Sequence, residues 1–448
     1  MDKQNLKSVL IYPYQPPQSS ILEVGRNCWR LQPADRAAFL IDGAAYYRAF
    51  REAAVQAERS IMVLGWDFDS RIRMLSDEES DGFPPCLGDF IQALLARRRT
   101  LHVNVLIWDF HLVYAFEREW WPLSALRAHR RLHFRMDGTH PVGASHHQKV
   151  AVIDDAVAFV GGLDLAQCRW DTPEHLPNNP LRVFPDGRPC RPFHDVQMMV
   201  DGKAAVSLGT LFRTRWTRAT GNHLPSTPYA AKRHAPWPQS VKPDMKMVQV
   251  GISLTEPEYE DRREVRQVER LYLDAIQAAR RHIYIETQYL TSSMLGAALL
   301  ERLQDPDGPE IVIILHPNSD GWLEQYTMDV LRGRVLKRLR AADTRQRLGL
   351  YYPHIPGLGT QCISLHSKVL IVDDDFVRIG SSNLSNRSMG FDTECDLAVE
   401  ACGDPAIQHG IASLRHRLLG EHLGTSPETV EAHVAREGFV IAAIEILQ

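Results

Sequence analysis

The chain has 448 residues with 51 basic and 55 acidic side chains, a formal net charge of -4, and 44% hydrophobic residues. That is a globular composition long enough for two cores rather than one, and its balanced charge excludes a protein built mainly to coat nucleic acid. No segment reaches the roughly 20 apolar residues that span a bilayer. The N-terminus, Met1 to Gln15, carries Asp2, Lys3, Lys7 and Pro13 and lacks the apolar stretch of a secretory signal. Seven scattered cysteines without a C-x-x-C pair predict neither a zinc site nor a disulfide framework, and they favour a reducing cytoplasm.

In chain order, Asp42 is expected to cap a helix whose Tyr46, Phe50, Ala53 and Ala57 share one face. The buried-strand pattern Arg59-Ser-Ile-Met-Val-Leu-Gly-Trp66 follows, then a helix over Leu87 to Arg98, a strand over Leu101 to Trp108 and a short strand at Leu132 to Arg135. About 220 residues later the same order recurs. A helix presents Val268, Leu271, Ala275 and Ala279, and Arg281-His-Ile-Tyr-Ile-Glu-Thr-Gln288 reads as a strand. Met294 to Leu303 reads as a helix, with strands at Glu310 to His316 and Leu348 to Tyr351. Alternating helices and apolar strands predict an α/β fold with a largely parallel sheet, built twice.

Each copy ends in one chemical pattern. His147-Gln-Lys149-Val-Ala-Val-Ile-Asp154 precedes Gly161-Gly162-Leu-Asp164, and His366-Ser-Lys368-Val-Leu-Ile-Val-Asp373 precedes Gly380-Ser381-Ser-Asn383. In an extended segment the histidine and lysine of each copy share a face. Imidazole can serve as nucleophile or proton carrier, and ammonium neutralises phosphoryl oxygens, so the pairs suit a phosphate site. The glycines allow close backbone approach, and Ser381 or Asn383 can donate to an anion. One copy alone would read as a strand with a satisfied histidine; two copies in register point to chemistry.

The constellation resembles the phospholipase D superfamily, which carries two His-x-Lys-x4-Asp motifs. The resemblance runs from about Asn27 to Glu400 and is most specific in Gly161-Gly-Leu-Asp-Leu165 through Arg169-Trp-Asp-Thr-Pro-Glu-His175, which is similar to the eukaryotic-type enzymes, as is Ile283-Tyr-Ile-Glu-Thr-Gln-Tyr-Leu290. It implies two similar α/β/α sandwich domains with mixed, mostly parallel sheets, related by a pseudo-twofold axis. Residues 1–225 would form one half, 226–246 a linker and 247–448 the other half. The chain is expected to be a compact catalytic core of bacterial style.

The implied activity is hydrolysis of phosphatidylcholine-like phosphodiesters to phosphatidic acid through a phosphohistidine, with transphosphatidylation when an alcohol replaces water. His147 would be the nucleophile and His366 the acid and base, with Lys149 and Lys368 as phosphate ligands. Asp195, in Pro192-Phe-His-Asp195, and Glu394, in Asp392-Thr-Glu394, would each orient one histidine. Asp154 and Asp373 complete the catalytic motifs and are expected to act structurally. Asp164 stands where the second copy has Asn383, and a carboxylate beside the phosphate would be repulsive unless it pairs with a cation such as Lys149 or stays out of contact with the phosphate. No metal or cofactor is required, since lysines and histidines supply the positive charge, and none of the 19 histidines shows zinc spacing.

Two proline-containing stretches remain, Asp171 to His194 and Arg218 to Lys246; the first is expected at the mouth of the site. Trp120, Trp121 and Trp322 read as packed residues or lipid contacts. Arg97 to Arg99 and Arg127 to Arg131 read as solvated helix ends that could also meet anionic lipid. The expected partner is phospholipid at a membrane surface, bound peripherally from the cytoplasm. Other readings are a cardiolipin-synthase-type transferase, a nuclease, against which the charge balance weighs, and a non-enzymatic phosphate-binding scaffold.

Overall fold

A computed structural model describes residues 20–75, 79, 81–109, 129–226, 236–316, 329–358 and 362–448. Met1 to Gln15, Trp120, Trp121, Trp322, Arg127 and the middle of the expected linker, 227–235, lie outside the described residues.

The first half runs β1 (Arg30–Ile41), α1 (Asp42–Gln56), β2 (Ser60–Gly65), α2 (Leu87–Arg97), β3 (His102–Trp108), β4 (Leu132–Asp137), β5 (Val150–Ile153), β6 (Val157–Gly161), β7 (Phe193–His194), β8 (Val196–Asp201) and α3 (Gly202–Thr220). The second runs β9 (Met245–Glu256), β10 (Val265–Arg266), α4 (Gln267–Ala278), β11 (His282–Thr287), α5 (Ser293–Gln304), β12 (Glu310–Leu315), α6 (Val330–Ala342), β13 (Leu348–Tyr351), β14 (Ser364–Leu365), β15 (Val369–Val372), β16 (Phe376–Gly380), α7 (Asn386–Gly390), β17 (Glu394–Glu400) and α8 (Pro405–Leu423). Helices α9 (Pro427–Glu437) and α10 (Val440–Leu447) close the chain.

The halves share one sheet, ordered β13-β12-β11-β15-β16-β17-β9-β1-β8-β6-β5-β2-β3-β4, with β10 attached to β9. The order reads the same from either edge once each strand is exchanged for its counterpart, with β1 against β9 at the centre. The α/β architecture matches the expectation. The strand directions differ from a mostly parallel sheet: β2, β3 and β4 run parallel, as do β11, β12 and β13, while every pairing from β2 through the centre to β11 is antiparallel. The reason lies in the connections. Helices α2, α5 and α6 lie in the crossovers from β2 to β3, β11 to β12 and β12 to β13, whereas tight turns join β5 to β6 and β15 to β16.

Helices cover both faces. One core lies under α3 and α8 and spans both halves, through Phe39, Met198, Phe212, Ile252, Leu397 and Leu414. On the other face α1 and α2 cover one core and α4 and α5 another. The predicted helix stripes are buried, Tyr46, Phe50, Ala53 and Ala57 in one half and Val268, Leu271, Ala275 and Ala279 in the other. Asp42, however, does not cap α1: the capping position is Ile41, and Asp42 has φ of 67° with its side chain turned into the protein.

The cysteine reading is corrected. Cys168 and Cys190, 22 residues apart, form a disulfide that closes the proline-rich loop. Such a bond persists in oxidising surroundings, so cysteine usage no longer supports a reducing cytoplasm. Spacing hid the pair because the loop must fold back before the two sulfurs meet. Among the described residues no helix is long and apolar enough to cross a membrane.

Asp154 and Asp373 also find their places in the fold. Each sits in a turn after a motif strand at positive φ, 53° and 52°. The Asp154 carboxylate accepts the backbone N–H groups of Glu58, Arg59 and Ser60 at 2.7 to 2.8 Å, and Asp373 accepts those of Arg280, Arg281 and His282 at 2.7 to 3.0 Å. Five residues of extended chain, roughly 16 Å, separate each from its motif lysine. Each carboxylate is thus taken up by backbone N–H groups where the chain leads into β2 or β11. Asp154→Ala or Asp373→Ala should lower stability in urea denaturation by roughly 2–4 kcal/mol, through stranded N–H groups, with turnover per folded molecule retained.

Candidate active site

The two motif histidines meet where the halves join. The chain before His366, β14, pairs in parallel with β7, and the chain before His147 bridges Thr393 in the same way. His366 N–H donates to the His194 carbonyl at 2.9 Å, and His147 N–H to the Thr393 carbonyl at 3.0 Å. Each motif therefore lies beside the strand that carries the other half's carboxylate.

The hydrogen bonds cross accordingly. Nδ1 of His147 lies 3.0 Å from Oε2 of Glu394, and Nδ1 of His366 lies 2.7 Å from Oδ2 of Asp195. Both carboxylates are fully buried, whereas the imidazoles retain 17% and 13% side-chain exposure, which leaves each ring an open edge. A carboxylate on Nδ1 fixes the tautomer with Nε2 as the free nitrogen. The site is thus one pair of oriented imidazoles, and neither half holds a complete set.

The lysines line the same junction. Lys149 Nζ donates to the His147 carbonyl at 3.2 Å and lies 3.2 Å from Oδ2 of Asp164, one of the two arrangements open to that carboxylate. Lys368 donates to the His366 carbonyl. The Ser381 hydroxyl, expected to meet the phosphate, donates to Glu394 Oε2 at 2.5 Å and so supports that carboxylate. Its counterpart, Gly162, leaves room for Asp195: a Cβ there would lie 2.2 Å from Asp195 Oδ1. Asn383 keeps its side-chain oxygen buried without a hydrogen-bond partner.

Burial governs the titration of these groups. It pushes the Asp195 and Glu394 carboxyls up to about 7, against the pull of Lys368 on the first and of Ser381 on the second. Burial also brings Lys368 down to about 7. His147 and His366 are held well below their ordinary range, first by desolvation and then by the lysines. Neutral imidazoles beside an ammonium are suited to attack on phosphorus, and a bound anion would return one of them to the protonated form.

A second cluster sits directly behind Asp195. Asp42 and Asp195 bond through their backbones, Asp42 N–H to the Asp195 carbonyl at 2.8 Å, and Asp195 N–H donates to Asp42 Oδ1 at 3.3 Å. His194 Nδ1 lies 2.5 Å from Glu421 Oε1, His175 Nε2 lies 3.0 Å from the same oxygen, and His194 Nε2 lies 2.9 Å from Glu286 Oε2. His422 Nε2 completes the chain at 2.8 Å from Glu286 Oε1. Desolvation opposes charge on His175, yet Asp42, Asp171 and Glu421 hold its imidazole up at about 10. Asp42, His175, His194 and Glu421 each bring a ligand atom within 4.8 Å of the others, a donor set that could hold a divalent cation in place of the imidazolium protons. Sequence spacing missed it because its members come from α1, the disulfide loop, β7 and α8. Its one sequence signal is that His175, His194 and Glu286 fall in the quoted segments around Arg169, Pro192 and Ile283.

A two-domain α/β frame with paired histidine, lysine and carboxylate sets is the class of protein these observations define. The family model for phospholipase D matches residues 125–302, and that for the PLD-like domain of cardiolipin synthase matches residues 272–413. The chain belongs to the phospholipase D superfamily and carries two domains of its kind. Phospholipase D2 of Bos taurus is 24% identical over 85% of this chain and 51% of its own length. Phospholipase D A of Dictyostelium discoideum is 24% identical over 87% of this chain and 35% of its own. The chain thus spans about half or less of these relatives. The solved structure of phosphatidylserine synthase from Haemophilus influenzae Rd KW20 shares the fold with a TM-score of 0.54 at 15% identity, over 84% of this chain and 86% of that one.

Histidine NMR titration checks the electrostatics. The signals that vanish in His147→Asn and His366→Asn should report neutral rings at pH 6, whereas ordinary imidazoles, near 6.5, would be mostly protonated there.

Proposed function

We propose that the chain is a phospholipase D acting on phosphatidylcholine-like glycerophospholipids at a membrane surface, which it meets peripherally. The single observation that carries this reading is the crossed pair of hydrogen bonds, His147 to Glu394 and His366 to Asp195, which engages Nδ1 of each ring and leaves Nε2 for the substrate, with both lysines close enough to act on the rings.

In this reading His147 Nε2 attacks phosphorus as the bond to the head-group oxygen breaks, and His366 gives its Nε2 proton to that oxygen. Diester charge raises His366 into its protonated form, because the phosphate anion offsets the lysines that depress it. Water then enters the vacated side and loses a proton to His366. Its oxygen bonds to phosphorus, and the phosphorus–nitrogen bond breaks to release phosphatidic acid and free His147. Asp195 and Glu394 hold the rings and stabilise each imidazolium in turn. With an alcohol in place of water the same steps exchange head groups. The match of the second half to the PLD-like domain of cardiolipin synthase favours, as a second reading, a phosphatidyltransferase in which an alcohol is the normal acceptor.

Head-group release from phosphatidylcholine vesicles tests the reading, with phosphatidic acid and phosphatidyl alcohol measured together in the presence of glycerol. Phosphatidic acid should dominate; a product almost entirely phosphatidylglycerol would favour the transferase. His147→Asn and His366→Asn should each lower turnover by about 10⁴-fold or more, and full activity in either would overturn the mechanism.

The same groups set a pH profile. Asp195 and Glu394 ionise near 7, giving a rising limb, and Lys368 loses its proton near 7, giving a falling one. kcat/KM should therefore peak close to pH 7. The falling limb of kcat should lie higher, since bound diester stabilises the Lys368 ammonium. A profile flat from pH 5 to 9 would contradict this assignment.

A further inference from the structure

The two halves are not equivalent in charge. Asp164 takes up Lys149 in an ion pair at 3.2 Å, while Asn383 stands at the matching position and Lys368 makes no ion-pair contact with a carboxylate among the described residues. A phosphoryl group bound between the histidines would face one lysine already neutralised. Five residues after Asp164 stands Arg169. Its guanidinium makes no ion pair with a described residue, and its Nε is buried without a hydrogen-bond partner. The residue is half-buried, but a buried donor such as this Nε is costly to leave unpaired unless a ligand completes it.

The surroundings fix where that charge lies. The guanidinium carbon is 4.6 Å from the centre of the Phe193 ring, and that ring is 5.4 Å from the imidazole of His366. The backbone cannot drift away, because the Arg169 carbonyl packs against Gly43 so closely that a Cβ there would lie 1.9 Å from its oxygen. The Arg169 charge is felt at the centre of the site, where it helps to depress His366 and Lys368.

We propose that Arg169 is a third cationic ligand of the substrate phosphoryl group, approaching from the His366 side and replacing the charge that Asp164 removes from Lys149. The proposal rests on the phosphodiester reading above and deepens it. A planar guanidinium stacked on Phe193 offers two parallel N–H donors to two phosphoryl oxygens, which a lysine cannot reproduce. A purely structural arginine, held only by its contact with Phe193, would carry no energetic link to Asp164.

That link is the test. Binding of inorganic phosphate is measured by calorimetry and turnover of bis(4-nitrophenyl) phosphate by absorbance, on the full chain, for wild type, Arg169→Gln, Arg169→Lys and the double variant Arg169→Gln/Asp164→Asn. Circular dichroism melts accompany each protein. Arg169→Gln should bind phosphate at least tenfold more weakly and lose about 100-fold in kcat/KM, with Arg169→Lys intermediate. Adding Asp164→Asn should recover about tenfold of both losses, because it frees Lys149. Wild-type binding with Arg169→Gln unchanged, or a double variant no better than Arg169→Gln, overturns the role of Arg169 and leaves the phosphodiester reading standing. A wild type that binds no phosphate and cleaves no diester overturns both.

Discussion

Two hydrogen bonds that cross between the halves hold the rest of the structure to its form. Glu394 bonds His147 and Asp195 bonds His366, so each imidazole takes its orientation from the domain that does not contain it. Several features follow from that requirement. The β1–β9 pairing joins the sheets edge to edge, and the short parallel contacts of β14 with β7 and of His146 with Thr393 bring each motif alongside its carboxylate. Gly162 must lack a side chain because Asp195 occupies its space, while Ser381 uses the equivalent space to donate to Glu394.

Burial is what gives these contacts chemical force. Carboxylates removed from water resist ionisation and bond the ring strongly; an ammonium removed from water yields its proton more easily; imidazoles in the same place stay neutral. Asp195, Glu394 and Lys368 consequently converge near neutrality. The twofold symmetry is broken at particular positions. Asp164 faces Asn383, and the buried pair Arg378–Asp396 stands where the first half has Phe159 and Gln197. These differences make two similar imidazoles unequal, as the two steps of a phosphoryl transfer require.

Much of this is legible in the residues. The apolar stripes of α1 and α4 and the strands at Leu132 and Leu348 follow from periodicity, and the paired motifs identify four groups of the site. Three features are not. The sheet direction escapes the pattern because alternating helices and strands report crossovers, while the antiparallel centre comes mostly from pairings between segments far apart in the chain. Asp42 resembles a helix cap because its sequence position suits one; only the tertiary contact with Asp195 turns it inward. The Cys168–Cys190 bond and the cluster of His175, His194 and Glu421 depend on chain segments that meet only after folding, and no spacing rule reaches across such distances.

The proposed mechanism turns on which nitrogen receives phosphorus. In His366→Asn the acid and base is gone, but a nitrophenolate leaves without needing a proton, so the first step can proceed and the second cannot. After incubation with bis(4-nitrophenyl) phosphate and an alkaline quench, peptide mapping by mass spectrometry should find the phosphoryl group on His147. Phosphorus on any other residue, or none on the protein while nitrophenolate is still released, would contradict it.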